Sequence, residues 1–298
     1  MARRLILLVL LVMAWPRAAA AGVEALAADY PVYLFTKNIM AGVPDSRVTL
    51  LTTVPGGRHV LAPMELETLS RADILISGGL SLDIFLERAL GVAKPSLKII
   101  DAGARAGDPL ILDLAAARKW YLSQDPPRAA PHLFASLSGA AVMTGNLAEA
   151  LARLDPQAAE IYRVNAAGII SEYQRLLYEC QAVADRWSPR PRVILSHGVL
   201  IHLAADLRLN VAGIIEAPEA EPSARLAELV GPAQDSAAIL ADPYGRLDLA
   251  RTLGAKARRP VALIDPVASG PAEPPPDYFQ KVFRTNLTVL NELFAGKP

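Results

Sequence analysis

Four histidines are spread along the 298 residues: His59, His132, His197 and His202. Three of them fall where a strand or loop hands over to a helix. His59 follows Val54-Pro55-Gly56-Gly57-Arg58, His132 follows Pro131 ahead of a helical stretch, and His197 comes directly after Arg192–Ser196 (RVILS). A carboxylate, Asp265, stands at the same kind of junction after Val261–Ile264. Three neutral imidazoles and one carboxylate suit a borderline divalent cation, zinc above all, with Asp supplying charge compensation. Each residue also has a plainer reading. A histidine after a strand commonly caps or hydrogen-bonds the chain, and Asp265 before Pro266 suits an Asx turn. No local metal motif such as HExxH joins them, so only a fold that gathers distant junctions would make them one site. His202, on the stretch that follows His197, reads as structural.

The elements that must position these residues alternate. Arg47–Thr53 (RVTLLTT), Ala72–Ser77 (ADILIS) and Leu97–Asp101 (LKIID) are short and apolar, with helical spacing over Ala62–Ser70 and Leu80–Ala93 between them. Asp125-Pro126-Pro127-Arg128 breaks the chain, and Leu137–Leu154 reads as a helix. Further on, Arg192–Ser196, Val211–Ile215, Ala237–Ala241 and Val261–Ile264 read as strands. Helical stretches follow them at Gly198–Asp206, Pro222–Val230, Arg246–Ala257 and Asp277–Phe294. This grammar predicts an α/β fold: two lobes, each with a mostly parallel sheet flanked by helices. Ligands of such sheets bind outside the carboxyl ends of the strands, where His59, His197 and Asp265 fall.

Between the two halves, Asp155–Trp187 reads as one long linking helix. Asp155 is a good N-cap, Pro156 sits where a missing N–H costs nothing, and Pro189 and Pro191 forbid continuation. Ile161, Val164, Ile169, Tyr173, Leu176, Cys180 and Val183 predict a helix buried along much of its length, about 45–50 Å long. Gly168 in its middle costs about 1 kcal/mol against Ala. Residues 22–154 then form an N-terminal lobe and residues 188–298 a C-terminal lobe, with a cleft between them.

Residues 1–21 have the pattern of a secretory signal peptide. Arg3 and Arg4 precede the short apolar run Leu5–Trp15, and the small residues Ala18–Ala21 suit cleavage. Eleven apolar residues are too few for a comfortable bilayer crossing. The single cysteine, Cys180, lies far from that run, which argues against a lipid anchor, and one cysteine allows no disulfide within the chain. Without Arg3, Arg4 and Arg17 the chain keeps 27 of its 30 basic side chains against 30 acidic ones, a formal charge near −3. With no long basic run, nucleic acid and anionic membrane surfaces are poor partners.

In order along the chain, the motifs resemble the periplasmic zinc/manganese-binding proteins of ABC importers, whose two lobes are joined by a long helix. Leu50–Leu69 (LLTTVPGGRHVLAPMELETL) is similar to the family's strand, Pro-Gly loop, first ligand histidine and Pro-led helix. Ser70–Leu86, Pro131-His132 with the helix ending in Leu154-Asp155-Pro156, Val193–Leu207 (VILSHGVLIHLAADL), Glu216–Glu228 and Ile264-Asp265-Pro266 follow suit, and Asp277–Phe294 resembles the closing helix. The resemblance implies His59, His132, His197 and Asp265 as metal ligands. It departs at Gly198, where the family usually has Asp, at Val60-Leu61 and Leu133-Phe134, which replace aromatic-rich residues, and in lacking a His-rich loop between His59 and His132.

The resemblance further implies a monomeric periplasmic receptor, not an enzyme, that captures Zn²⁺, with Mn²⁺ second, as transported ligand and delivers it to the membrane permease of an ABC importer. Small lobe tilts are expected rather than a wide hinge. Because metal needs neutral imidazole, affinity is expected to drop below about pH 6.5. Two rivals stand. A metallohydrolase needs an open metal position and a general base nearby, and no Glu adjoins these histidines in sequence. A siderophore, cobalamin or adhesion protein on the same frame would want an aromatic, arginine-rich cleft, and none of the three Trp adjoins the candidate ligands.

Overall fold

The computed structural model describes residues 22–54, 59–79, 86, 89–105, 108, 110–123, 132–215 and 222–295. The signal-peptide segment, the Pro55–Arg58 loop, most of Leu80–Ala93, the Asp125–Arg128 break and 216–221 lie outside the described residues. Two sheets organise the rest. The first has β1 (Glu24–Ala27), β2 (Arg47–Leu50), β3 (Ile74–Ser77), β4 (Lys98–Asp101) and β5 (Ile111–Asp113), in the order β2-β1-β3-β4-β5. Its first four strands are parallel, with Ala27 opposite both Leu50 and Ile76 and Ser77 opposite Asp101. β5 is antiparallel to β4 and closes one edge. The second sheet has β6 (Arg192–Leu195), β7 (Asn210–Ile214), β8 (Ala238–Ala241) and β9 (Val261–Leu263), ordered β7-β6-β8-β9 and parallel throughout. The α/β class with two parallel-sheet lobes is therefore present as the sequence predicts.

Nine α-helices are described: α1 (Tyr30–Ile39), α2 (Pro63–Arg71), α3 (Leu114–Ser123), α4 (Leu137–Leu154), α5 (Ala159–Ala184), α6 (Ile201–Asp206), α7 (Pro222–Gln234), α8 (Leu247–Ala257) and α9 (Tyr278–Phe294). The sequence pattern did not reveal α1 because its residues are buried almost all round, Tyr30 through Thr36 and Ile39, which leaves no polar face to set a period. Its start is nonetheless well made: Asp29 accepts from Val32 N at 3.2 Å, and Pro31 sits in the first turn. α7 runs past the expected stop at Val230 and through Pro232, whose missing N–H costs a single bond in the last turn.

The long helix differs from expectation at its start. Asp155 does not cap it; its N–H still donates to Leu151 O at 2.8 Å, so it ends α4. Its carboxylate instead takes the Tyr162 hydroxyl at 3.0 Å. Ala158 precedes the first turn, and the 26 residues of α5 span about 39 Å. Nor is the helix buried on all sides. Ile161 and Val164 are 36% and 59% exposed, whereas Tyr162, Ala166, Tyr173, Leu176, Cys180 and Ala184 form one buried stripe.

That stripe belongs to a single apolar cluster running through both lobes. It takes in Ala25, Ile76 and Ile100 of the first sheet, Val193, Leu195 and Leu240 of the second, and Phe279, Phe283 and Leu290 of α9. Phe279 packs on Phe35 of α1 and Tyr173 of α5, with ring centroids 5.2 and 5.0 Å apart. The far face of each sheet has its own cluster, around Leu75 and Ile99 in the first and around Ile239 and Leu253 in the second. The lobes are thus joined by shared packing as well as by one helix. Close-packed interiors resist continuous deformation, which favours the expected small tilts.

Candidate metal centre

Two candidate ligands, His197 and Asp265, stand two residues past strands of the second sheet, and a third, His132, stands just before a turn. β6 ends at Leu195 and is followed by Ser196 and His197, whose turn Gly198–Leu200 runs on into α6. β9 ends at Leu263, two residues before Asp265. His132 opens the turn Leu133–Ala135, which leads to Ser136 and α4. Ser136 Oγ accepts from Gly139 N at 3.0 Å and donates to Leu133 O at 3.2 Å. A Cβ on Gly139 would come within 2.1 Å of Leu133 O, so only glycine lets the turn sit this close to the helix.

The structure brings His132 and His197 together. Their ring centroids are 5.2 Å apart with planes at 68°, and the Nδ1 atoms of both are buried without a hydrogen-bond partner. Burial pushes the His132 imidazole down to about 3, helped by the charges of His197 and His202. His202 therefore feels the same site electrostatically. The half-buried Asp265 carboxyl is raised by burial, against the pull of the Val267 N–H on its Oδ1 at 2.7 Å. Its backbone is gripped on both sides by Asn286 of α9, which accepts from Asp265 N at 3.0 Å and donates to Asp265 O at 2.8 Å. The charge on Asp265 reaches Tyr30, Tyr244 and Tyr278, whose phenols are all held above their ordinary range, chiefly by burial.

His59 is differently engaged. Its Nε2 lies 2.9 Å from Glu65 Oε2, the oxygen that also accepts from Ala62 N at 2.6 Å at the start of α2. Burial works to raise the Glu65 carboxyl, yet bonds from Ala62 N, His59 and Thr52 together hold it below its usual range. A Glu therefore does neighbour a candidate histidine in space, contrary to the impression from adjacent residues. Among the described residues no three His, Cys, Asp or Glu side chains are clustered tightly enough to hold a metal ion.

One acidic residue escaped the sequence reading. Asp242 follows β8, is wholly buried, and puts Oδ2 3.9 Å from His197 Nδ1. Its oxygens accept from Ser196 Oγ at 3.0 Å, Tyr244 N at 3.0 Å and Gly245 N at 2.7 Å. The signal was available, because Asp242-Pro243 repeats the strand-end Asp-Pro of Asp265-Pro266.

Two parallel-sheet α/β lobes sharing one apolar core, with His197 and Asp265 just past strand ends, make the build of a two-lobed solute-binding protein. Residues 26–293 match the family described as zinc-uptake complex component A, periplasmic, and the chain belongs to that family. It is a family of binding proteins, not enzymes. The fold is similar to that of the SBP FpvC from P. aeruginosa in complex with Ni²⁺, with a TM-score of 0.73 at 19% identity, covering 93% of this chain and 99% of that one. A periplasmic metal binding protein from Candidatus Liberibacter asiaticus gives 0.71 at 20% identity, with 91% and 99% covered. The laminin-binding adhesin Lmb of Streptococcus agalactiae, in a mutant structure, gives 0.72 at 18% identity, with 92% and 100% covered.

Proposed function

We propose that this protein captures a divalent metal ion between its lobes, Zn²⁺ ahead of Mn²⁺, and hands it to the permease of an ABC importer. The observation that carries the reading is the His132–His197 pair with its two unpartnered, buried Nδ1 atoms. Leaving a buried polar atom unpaired costs about 1–3 kcal/mol, which a cargo ion drawing on these rings would offset directly or by reorienting them. Asp265 and His59 complete the proposed ligand set, His59 by leaving Glu65. Three nitrogen donors and one oxygen favour zinc, whereas manganese prefers more oxygen. Structures of similar fold hold Ni²⁺ in FpvC and Cd²⁺ in the Liberibacter protein, which supports a divalent cargo. Residues 1–21 would direct export to the periplasm, where the protein would act as a monomer.

The test is the melting temperature of the EDTA-stripped protein lacking residues 1–21, alone and with excess Zn²⁺ or Mn²⁺. Ligand at a hundred times its dissociation constant adds about 2.7 kcal/mol, a shift of several degrees at this size. A rise with Zn²⁺ that vanishes in His132→Ala is the expected result. No rise with either ion would overturn the reading.

A further inference from the structure

We propose that Asp206 is a positioning residue for the His132–His197 pair, its buried carboxylate bolting the segment that carries one histidine to the segment that carries the other. Asp206 ends α6, the helix that grows without a break from the turn beginning at His197. Its Oδ2 accepts from Ser138 N at 3.1 Å and its Oδ1 accepts from Ser138 Oγ. Ser138 lies in the first turn of α4, whose rigid start holds the His132 turn through Ser136 and the close approach at Gly139. α4 in turn belongs with the first sheet, because Asn146 Nδ2 donates to Ala102 O and Ala104 O at 3.0 and 2.8 Å, just past β4. The Asp206–Ser138 contact therefore joins the two lobes.

Three features set this apart from an ordinary helix cap. α4 already has its cap in Ser136. Both oxygens of Asp206 go to the same residue, which fixes rotation as well as distance. The long helix also holds Asp206 from below, Gln181 Nε2 donating to Asp206 O at 3.1 Å. Asp206 as a whole residue is only 9% exposed, so water offers little substitute for these bonds. Groups hydrogen-bonded directly to metal ligands typically alter metal affinity about 10–100-fold when changed, and Asp206, which acts through Ser138 and the His132 turn, is expected to do less. The predicted effect on affinity rests on the metal reading above; the effect on the geometry of the two rings does not.

Asp206→Ala removes both acceptors from Ser138, whereas Ser138→Ala removes only the hydroxyl bond. Each variant is compared with wild type by Zn²⁺ competition against a chromogenic chelator, by the visible spectrum of the Co²⁺-loaded protein, by melting of the metal-free form, and by NMR of the imidazole rings in the metal-free form. The expected result is a several-fold weaker Zn²⁺ affinity for Asp206→Ala, a smaller loss for Ser138→Ala, and an altered Co²⁺ spectrum. In the metal-free protein the ring signals of His132 and His197 move while those of His59 stay. A lower melting temperature with unchanged affinity, spectrum and ring signals would overturn the proposal and leave Asp206 a brace only. If wild-type protein takes up neither Zn²⁺ nor Co²⁺, the cargo reading fails and the metal-free ring signals alone decide the positioning role.

Discussion

Asp242 stands behind His197, its Oδ2 3.9 Å from the ring Nδ1, in a pocket where neither atom meets water. That gap is too long for a hydrogen bond. A small turn of the imidazole would close it and present the opposite nitrogen to the cleft, the arrangement in which a carboxylate fixes the tautomer of a ligating histidine. Gly198, directly after His197, has no side chain to offer, so the acid that His197 meets within its own lobe is Asp242.

Gly245 probes that relationship. A Cβ there would fall 2.8 Å from Asp242 Oδ2 and 3.2 Å from His197 Cβ. Asp242 has little room to yield, since Ser196 and two backbone N–H groups hold it. Gly245→Ala is expected to cost about 1–3 kcal/mol in chemical denaturation, as overpacking does, and to weaken Zn²⁺ binding in the same protein. Gly168→Ala is the matched control: its Cβ meets nothing within 4 Å on the open side of α5. It should gain up to about 1 kcal/mol with affinity unchanged. Equal affinities in wild type and Gly245→Ala would remove Asp242 from the account of the site.

The His59–Glu65 contact gives a second expectation. A histidine whose Nε2 is already taken at 2.9 Å must give up that bond to meet a cargo ion through Nε2. Glu65→Gln keeps the shape and weakens the hold on His59, because the bond loses its charge. Zn²⁺ affinity measured by competition should then rise by several-fold, while the start of α2 loses the charge that favours its N-terminus, about 0.3–1 kcal/mol. A fall in affinity would instead make Glu65 a partner of the ion.

How far the sequence could be read depended on what made each contact. Short apolar runs at β6 and β8 were legible because strands largely buried on both faces need little else, and Leu137–Leu154 has in the structure the bounds its pattern predicts. Asp155 misled because a preferred cap residue followed by proline is also what the end of one helix and the turn into the next can contain. α1 carried no period to read. Pairing Asp206 with Ser138 spans 68 positions, and nothing in either residue type announces the other; only folding of α4 and α6 around α5 brings them together. His59 and Glu65 are six apart and could have been paired by noticing that the first turn of α2 folds back over the loop.

The pH dependence follows from His132. Burial lowers its imidazole from the usual 6.5 to about 3, so between those values the unfolded chain binds a proton that the native protein does not. The sign is fixed by that difference: His132 leaves stability undiminished above pH 6.5 and drains it progressively as pH falls toward 3. Asp29 and Asp265 act the other way. Burial raises the first to about 6 and the second above its ordinary value, so both favour the native state as pH falls. The total is therefore a poor readout, and the informative quantity is the difference between wild type and His132→Asn. That variant should lose the acid-side decline due to His132, so its denaturation free energy falls less than that of wild type from pH 7.5 to 4.5. The same burial revises the expected loss of metal below pH 6.5. Since His132 stays neutral well into the acid range, proton competition there begins later, and any loss of Zn²⁺ between pH 6.5 and 5 must arise at other ligands. Calorimetric titrations at pH 7.5, 6.5 and 5.5, in wild type and His59→Ala, separate the two sources. A wild-type affinity loss that persists unchanged without His59 would place the proton on Asp265 or the His132–His197 pair.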